Sequence, residues 1–237
     1  PRSKSEHLSE EMQTEYRALV GALLWATGQT RPDIAFDVAS AAAHNNKATY
    51  EQLRKLNAIV DKAKRTDVAM VYNTIPDKDI VLLGYADAAW ANLPNGGTGG
   101  GYVVGLSDLH TFGFLSWRCR RLKRIVKSTL AGETLALTDL VDELVVLRET
   151  MRRMTGVAPR TIARTDCMSL HDHIMKGKQV QEKRLHVELS MLKEVVENKE
   201  CEIEWVETAE QLSDCLTKHM VAHRLLAVMR TGTLNPY

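Results

Sequence analysis

Four carboxylates in this chain stand where a sheet-based fold places chemistry: Asp87, Glu133, Asp166 and Asp214. In LLGYADAAW, residues 82–90, Asp87 follows a run of strand-forming apolar residues and is wrapped in the small Ala86, Ala88 and Ala89. Asp166 closes a second such run, TIARTD, while Glu133 falls in the first turns of a long helical pattern and Asp214 on a late one. Ligands of open α/β sheets bind in the crevice outside the strand ends, and a crossover helix makes the strands it connects neighbours. Asp87 and Asp166 are therefore expected to share one edge. Like charges that close repel strongly in a partly dry site, so such a cluster is tolerable chiefly around a cation, and an all-oxygen set suits Mg²⁺ or Mn²⁺. Taken singly, each acid also has a plainer role: turn or cap residue for a strand-end Asp, dipole partner for a first-turn Glu, solvated helix charge for Asp214. Their order along the chain is what points to a site.

The elements that must position them follow from periodicity. TEYRALVGALLWATGQ repeats apolar residues at helical spacing, TRPDIAFDVASAAAHNN opens a second helix with Pro32 in its first turn, and Thr49 caps a third over YEQLRKLNAIVDKAKR. VAMVY, residues 68–72, reads as a strand. IVLLGYAD, GYVVGL and TFGFLSW are three short runs with brief links, which favours antiparallel pairing. A long helix is expected from Ser128 to about Arg153, then a strand at TIARTD, a short helix at SLHDHIMKG and a longer one at KRLHVELSMLKEVVENK. CEIEWVET reads as a strand, AEQLSDCLTKHM as a helix, and a last helix falls near 221–230. The sum is an α/β fold, a mixed sheet of three antiparallel strands then two parallel ones with flanking helices, preceded by a mainly helical segment. NGGTGGG lacks the Gly-Lys-Ser/Thr of a phosphate-cradling loop and reads as a flexible hairpin link. Trp90 and Trp117 are expected in the core.

Composition narrows the function classes. Of 237 residues, 31 Lys and Arg nearly cancel 30 Asp and Glu, so only local clustering can argue for a nucleic-acid partner. That clustering exists in RCRRLKRIVK, where Arg118, Arg120, Arg121, Lys123, Arg124 and Lys127 stand just before Glu133. Such cations straddle a phosphate backbone and release counterions, or else form a basic edge that discourages strand pairing. Four cysteines without a C-x-x-C pair suggest reduced thiols in an intracellular, cytoplasmic or nuclear setting and argue against structural zinc. No apolar stretch reaches the length of a membrane span, so no membrane partner is expected. His171 and His173 make a poor metal pair, and His219 with His223 lack the Glu of a metalloprotease helix. A chain opening on Pro1 rather than Met reads as a piece of something longer.

Taken in order, these residues resemble a known family, the C-terminal part of copia-type LTR retrotransposon Pol polyproteins. YRALVGALLWATGQTRPDIAFDVA is similar to that family's Y-R-x-L-V-G block and its T-R-P-D-I-A, in the segment after the polymerase palm. GYADAAWAN resembles S-D-A-D-W-A, GGTGGGYVVGL the Gly-rich approach to the next strand, and LSWRCRRLKRIVKSTLAGETLAL the S-W-K-S-K-K run leading to S-S-T-E-A-E-Y. TDCMSL resembles D-N-x-S-A, EKRLHVEL resembles T-K-H-I-D-I, and IEWVETAEQLSDCLTK the ending Y-V-x-T-x-x-Q-x-A-D-x-L-T-K. The departures are Cys167 for the family's Asn, Arg184-Leu185-His186 for T-K-H, and His219 for a final Pro. None removes a carboxylate.

The resemblance implies a reverse-transcriptase thumb- or connection-like helical segment over 1–77 and a ribonuclease H-like domain over 78–237. It places that family's four acids on Asp87, Glu133, Asp166 and Asp214. The implied activity is two-metal hydrolysis of the RNA strand of an RNA·DNA hybrid during reverse transcription, with two Mg²⁺ ions (or Mn²⁺), Asp87 bridging, and the rest of the Pol polyprotein as partner. His186, matching the His of T-K-H, is implied as an aid to catalysis or product release, beside a plainer reading as a helix-face histidine paired with Glu182 or Glu188. Shape, phosphates and 2′-hydroxyls rather than base sequence would be recognised. The rival reading is a non-catalytic nucleic-acid-binding or interaction module derived from a decayed or host-retained element, a role that needs no repulsive acidic cluster.

Overall fold

The computed structural model describes residues 5–177 and 182–235. The chain divides into two compact units between Ala69 and Met70.

The first unit is helical: α1 (Glu10–Gln29), a short 3₁₀ turn at Pro32–Ile34, α2 (Ala35–Ala42) and α3 (Tyr50–Arg65). Ser9 caps α1, and at α3 Gln52 Oε1 accepts from the Thr49 N–H at 2.6 Å within a capping box. Its core joins Tyr16, Val20, Leu23, Ile34, Val38, Leu56 and Ile59. Polar ties explain the motif residues: the Tyr16 hydroxyl donates to Ala41 O at 2.8 Å, and Arg31 grips the buried Asp33 at 2.8 and 2.9 Å while donating to Ala63 O. The second helix stops at Ala42, short of the Asn46 that composition allowed, because residues 43–46 turn back.

The second unit carries one five-stranded sheet: β1 (Val81–Leu93), β2 (Gly97–Ser107), β3 (Phe112–Arg121), β4 (Arg160–Thr165) and β5 (Glu202–Trp205), in the order β3-β2-β1-β4-β5. β1–β2 and β2–β3 are antiparallel, while β1–β4 and β4–β5 are parallel. The helices are α4 (Thr129–Thr155), α5 (Met168–Met175), α6 (His186–Glu197) and α7 (His223–Thr231). This is the mixed arrangement expected from the sequence, three antiparallel strands then two parallel ones, with β1 central and the crossover through α4 placing β4 beside it. On α4, Ser128 Oγ accepts from the Ala131 N–H at the start, and Gly156 ends the helix in the left-handed region at φ 80°. Leu137, Leu140, Val141 and Leu144 bury its inner face against Leu82, Ala86, Ala88, Tyr102 and Val104.

Further expectations are corrected. VAMVY forms no strand, although Val71 N–H donates to Met229 O at 2.8 Å. The segment expected as a helix over 209–220 is instead two 3₁₀ turns, Thr208–Glu210 and Asp214–Leu216, because Gln211, Ser213 and Thr217 spend side-chain hydrogen bonds on nearby polar groups. Trp90 is 48% exposed rather than core: β1 loses register between Ala89 and Leu93, with Ala91 at φ 53°, and the irregularity turns the indole outward to donate to Val126 O. Trp117 is half-buried, edge-on to Phe114.

The glycine run is mostly strand rather than link. Gly97, Gly99, Gly100 and Gly101 lie in β2, and only Pro94–Gly96 make the turn. A Cβ on Gly101, which pairs with Asp87, would come 2.7 Å from Leu216 Cβ and 3.0 Å from Arg118 O. The strand is bare there so that the Asp214–Leu216 turn can lie on it. Gly101→Ala is expected to cost roughly 1–3 kcal/mol, as overpacking does, in urea unfolding; an unchanged midpoint would show that the turn yields freely.

Candidate active site

Parallel register brings the first two acids together. The last β1–β4 pair is Tyr85 with Arg164, and two residues further on each chain stand Asp87 and Asp166. Glu133 arrives from α4, where the crossing is lined by small residues: a Cβ on Gly132 would lie 3.4 Å from Ala88 Cβ and 3.3 Å from Thr98 Cγ2. That close approach brings the Glu133 carboxylate beside the Ala88 backbone, which opposes part of the upward shift of its pKa. One oxygen from each of Asp87, Glu133 and Asp166 lies within 4.8 Å of the others. Asp87 is 1% exposed and Glu133 6%, with Asp166 half-buried.

Such a group strains against ionisation. Burial, followed by the charges of Asp87 and Asp166, pushes the Glu133 carboxyl up to about 9. Asp87 is also raised, chiefly by burial, against the opposing pull of Lys218 and the Thr217 hydroxyl. Glu133 Oε2 is buried and has no hydrogen-bond partner among the described residues. A buried carboxylate with an orphaned oxygen, grouped with two more carboxylates, is what a divalent cation of the Mg²⁺ or Mn²⁺ type would complete, so the donor set fits the implied ion.

Asp214 stands outside the three-acid group but beside it. Lys218 Nζ lies 2.7 Å from Asp214 Oδ1 and 3.4 Å from Asp87 Oδ2. Burial works against the Lys218 ammonium, yet the two carboxylates outweigh it and carry its pKa up to about 12. Thr217 donates its hydroxyl to Asp87. The same C-terminal segment is fastened elsewhere: Gln211 Nε2 donates to Ala86 O at 2.9 Å, and Asn92 Nδ2 to Thr217 O at 2.6 Å. Asp166 is held by the Thr208 hydroxyl at 2.9 Å, and its backbone carbonyl accepts from the Trp205 indole. Sequence reasoning singled out none of Asn92, Thr208, Gln211, Thr217 and Lys218 as functional. All but Asn92 lie in the one block VETAEQLSDCLTK, whose polar spacing was the available signal.

The basic run splits in two. Arg120 forks onto Asp139 of α4, and Arg124 pairs with Glu188. Arg118 lies over the Tyr102 ring, 5.9 Å from its centroid. Arg121, Lys123 and Lys127 are exposed and make no ion pair among the described residues. Since Gly101 pairs both with Asp87 and with Cys119, the run begins at the acids' end of the sheet. His186 is the exposed first residue of α6 and is not in the three-acid group.

Comparisons with known proteins bear on this geometry. No protein-family model matches the chain. The retrovirus-related Pol polyprotein from transposon TNT 1-94 of Nicotiana tabacum is 24% identical over 206 residues, 86% of this chain. The chain is a distant relative of that copia-type polyprotein. It spans only 15% of the polyprotein's length. A second relative, secreted RxLR effector protein 161 of Plasmopara viticola, is 26% identical over 142 residues, 60% of this chain and 96% of the effector. Among solved structures, RNase H1 from the archaeon Halobacterium salinarum covers 54% of this chain and 87% of its own, at 16% identity and TM-score 0.40. LC11-RNase H1, isolated from compost and solved with an RNA/DNA hybrid, covers 61% and 99%, at 14% identity and TM-score 0.46. The PFV RNase H domain covers 66% and 94%, at 12% identity and TM-score 0.39.

The raised Glu133 pKa makes stability depend on pH with a definite sign. A carboxyl whose folded pKa lies near 9 rather than 4.5 favours folding while protonated, so that contribution is complete below 4.5 and is lost as pH climbs through 9. In chelator-treated protein the thermal midpoint should fall between about pH 5 and pH 9, and Glu133→Gln should flatten that fall. An equal fall in the variant would place the strain elsewhere.

Proposed function

We propose that this chain is a divalent-metal-dependent endoribonuclease of the ribonuclease H type, hydrolysing the RNA strand of RNA·DNA hybrids as part of a Pol polyprotein during reverse transcription. The observation that carries this reading is the buried group of Asp87, Glu133 and Asp166 with an unpartnered Glu133 oxygen. Those three side chains would hold an ion, and Asp214 would complete the acidic set of the resemblance. A divalent ion bound there supplies Lewis-acid activation of water and stabilises charge on the phosphate.

The chain's own residues set up the rest. Thr217 orients the Asp87 carboxylate and Thr208 that of Asp166, so that these oxygens are preorganised before substrate arrives. Arg121, Lys123 and Lys127 are the cations of the basic run best able to meet phosphates, with Arg118 beside them, while Arg120 and Arg124 brace the run against α4 and α6. His186 would act at the edge of the site, on product release. Residues 1–77, which include the helical unit ending at Ala69, are on this reading the thumb- or connection-like segment of the polymerase.

The effector relative favours one rival, a non-catalytic module kept for interaction, because nearly all of that effector aligns with this chain. One assay separates them: cleavage of a labelled hybrid with Mg²⁺ or with chelator. The enzyme reading expects cleavage that needs Mg²⁺, spares single-stranded RNA, and drops on the order of 100-fold or more in Asp87→Asn. Intact hybrid, bound but uncut, would favour the module. For the basic run, replacing Arg121, Lys123 and Lys127 together by Ala should shrink the slope of log affinity against log salt by about 2–3. An unchanged slope would remove these residues from the interface.

A further inference from the structure

Asp214, the fourth acid of the resemblance, lies outside the three-acid group, and a side chain already joins it to Asp87. Lys218 Nζ is 2.7 Å from Asp214 Oδ1 and 3.4 Å from Asp87 Oδ2. Its placement is built into the turn: Lys218 N–H donates to Asp214 O at 3.1 Å, and the preceding Thr217 holds both Asp87, through its hydroxyl, and Asn92, through its carbonyl. The flanking carboxylates are nearly enclosed, with Asp87's side chain 2% exposed and Asp214's 13%, whereas the Lys218 side chain is 43% exposed. The three-acid group with the orphaned Glu133 oxygen includes Asp166 and Glu133 and leaves out Asp214.

We propose that Lys218 is a built-in cation that takes the Asp87–Asp214 side of the site, so that the chain binds one divalent ion, in the Asp87–Glu133–Asp166 group, instead of two. This rests on the metal-centre reading above and sharpens it. Seating a second ion on Asp87 and Asp214 requires displacing an ammonium that both carboxylates hold, and a divalent ion beside a retained ammonium meets direct repulsion. An ammonium has three donors; with two directed to Asp214 and Asp87, one is left for a phosphate oxygen of the bound strand. Lys218 is thus a positioning residue for Asp87 and a counter-charge shared by Asp87 and Asp214.

The test is Mn²⁺ binding to the full chain, cleared of metal and titrated with Mn²⁺ alone, with stoichiometry read by electron paramagnetic resonance of the free ion. The wild type is expected to bind one Mn²⁺, Lys218→Arg one, and Lys218→Met two. Two ions in the wild type, or one in folded Lys218→Met, would overturn the inference while leaving the metal-centre reading intact; no Mn²⁺ bound by any folded form would overturn both. Should Lys218→Met fail to fold by circular dichroism, Asp214→Asn decides: the single-ion Kd should stay within about threefold, because Asp214 is engaged by the ammonium, and a weakening beyond about tenfold would overturn the inference.

Discussion

Three carboxylates held within 4.8 Å of one another, two of them almost without solvent, are the constraint on which this structure turns. Water would relieve their repulsion by dispersing them, and burial alone would relieve it by protonation, as the upward shift of Glu133 indicates. Holding them together takes a rigid frame. β1 and β4 fix two of the acids by parallel register, and α4 delivers the third through a crossing narrowed by Gly132 and Ala88. Asp87 and Asp166 are then each locked by a hydroxyl that donates to them, Thr217 and Thr208.

The second half of the design lies in the C-terminal segment. Its residues return to the sheet at β2, where Gly101 leaves no side chain in the way, and they fasten through Gln211 to Ala86 and through Asn92 to Thr217. A regular helix there would have spent its backbone bonds on itself. The two 3₁₀ turns instead leave Gln211, Ser213 and Thr217 pairing locally and point Asp214 and Lys218 at Asp87.

Much of this was legible in the sequence, for particular reasons. The strands around Leu82 and Ile162 and the long helix after Ser128 announce themselves by local periodicity, and their adjacency follows from crossover geometry. The convergence of Asp87 and Asp166 follows from that adjacency. What escaped depends on contacts remote in sequence. The strand expected at VAMVY reduces to one backbone bond with Met229, and Trp90 is turned outward by an irregularity that no pattern of residues signals. The glycines after Asn95 looked like a link because close packing against Leu216 and Leu122 leaves no trace in composition. Lys218 stood in view within SDCLTK, but its meaning lies in the distance to Asp87.

The central claim is that the acids converge because they share a cation. Anomalous diffraction from crystals soaked in Mn²⁺ tests it most directly. The account predicts a peak in contact with oxygens of Asp87, Glu133 and Asp166, with Lys218 still bridging Asp87 and Asp214. Absence of a peak among those three residues, with manganese bound elsewhere on the chain, would contradict it.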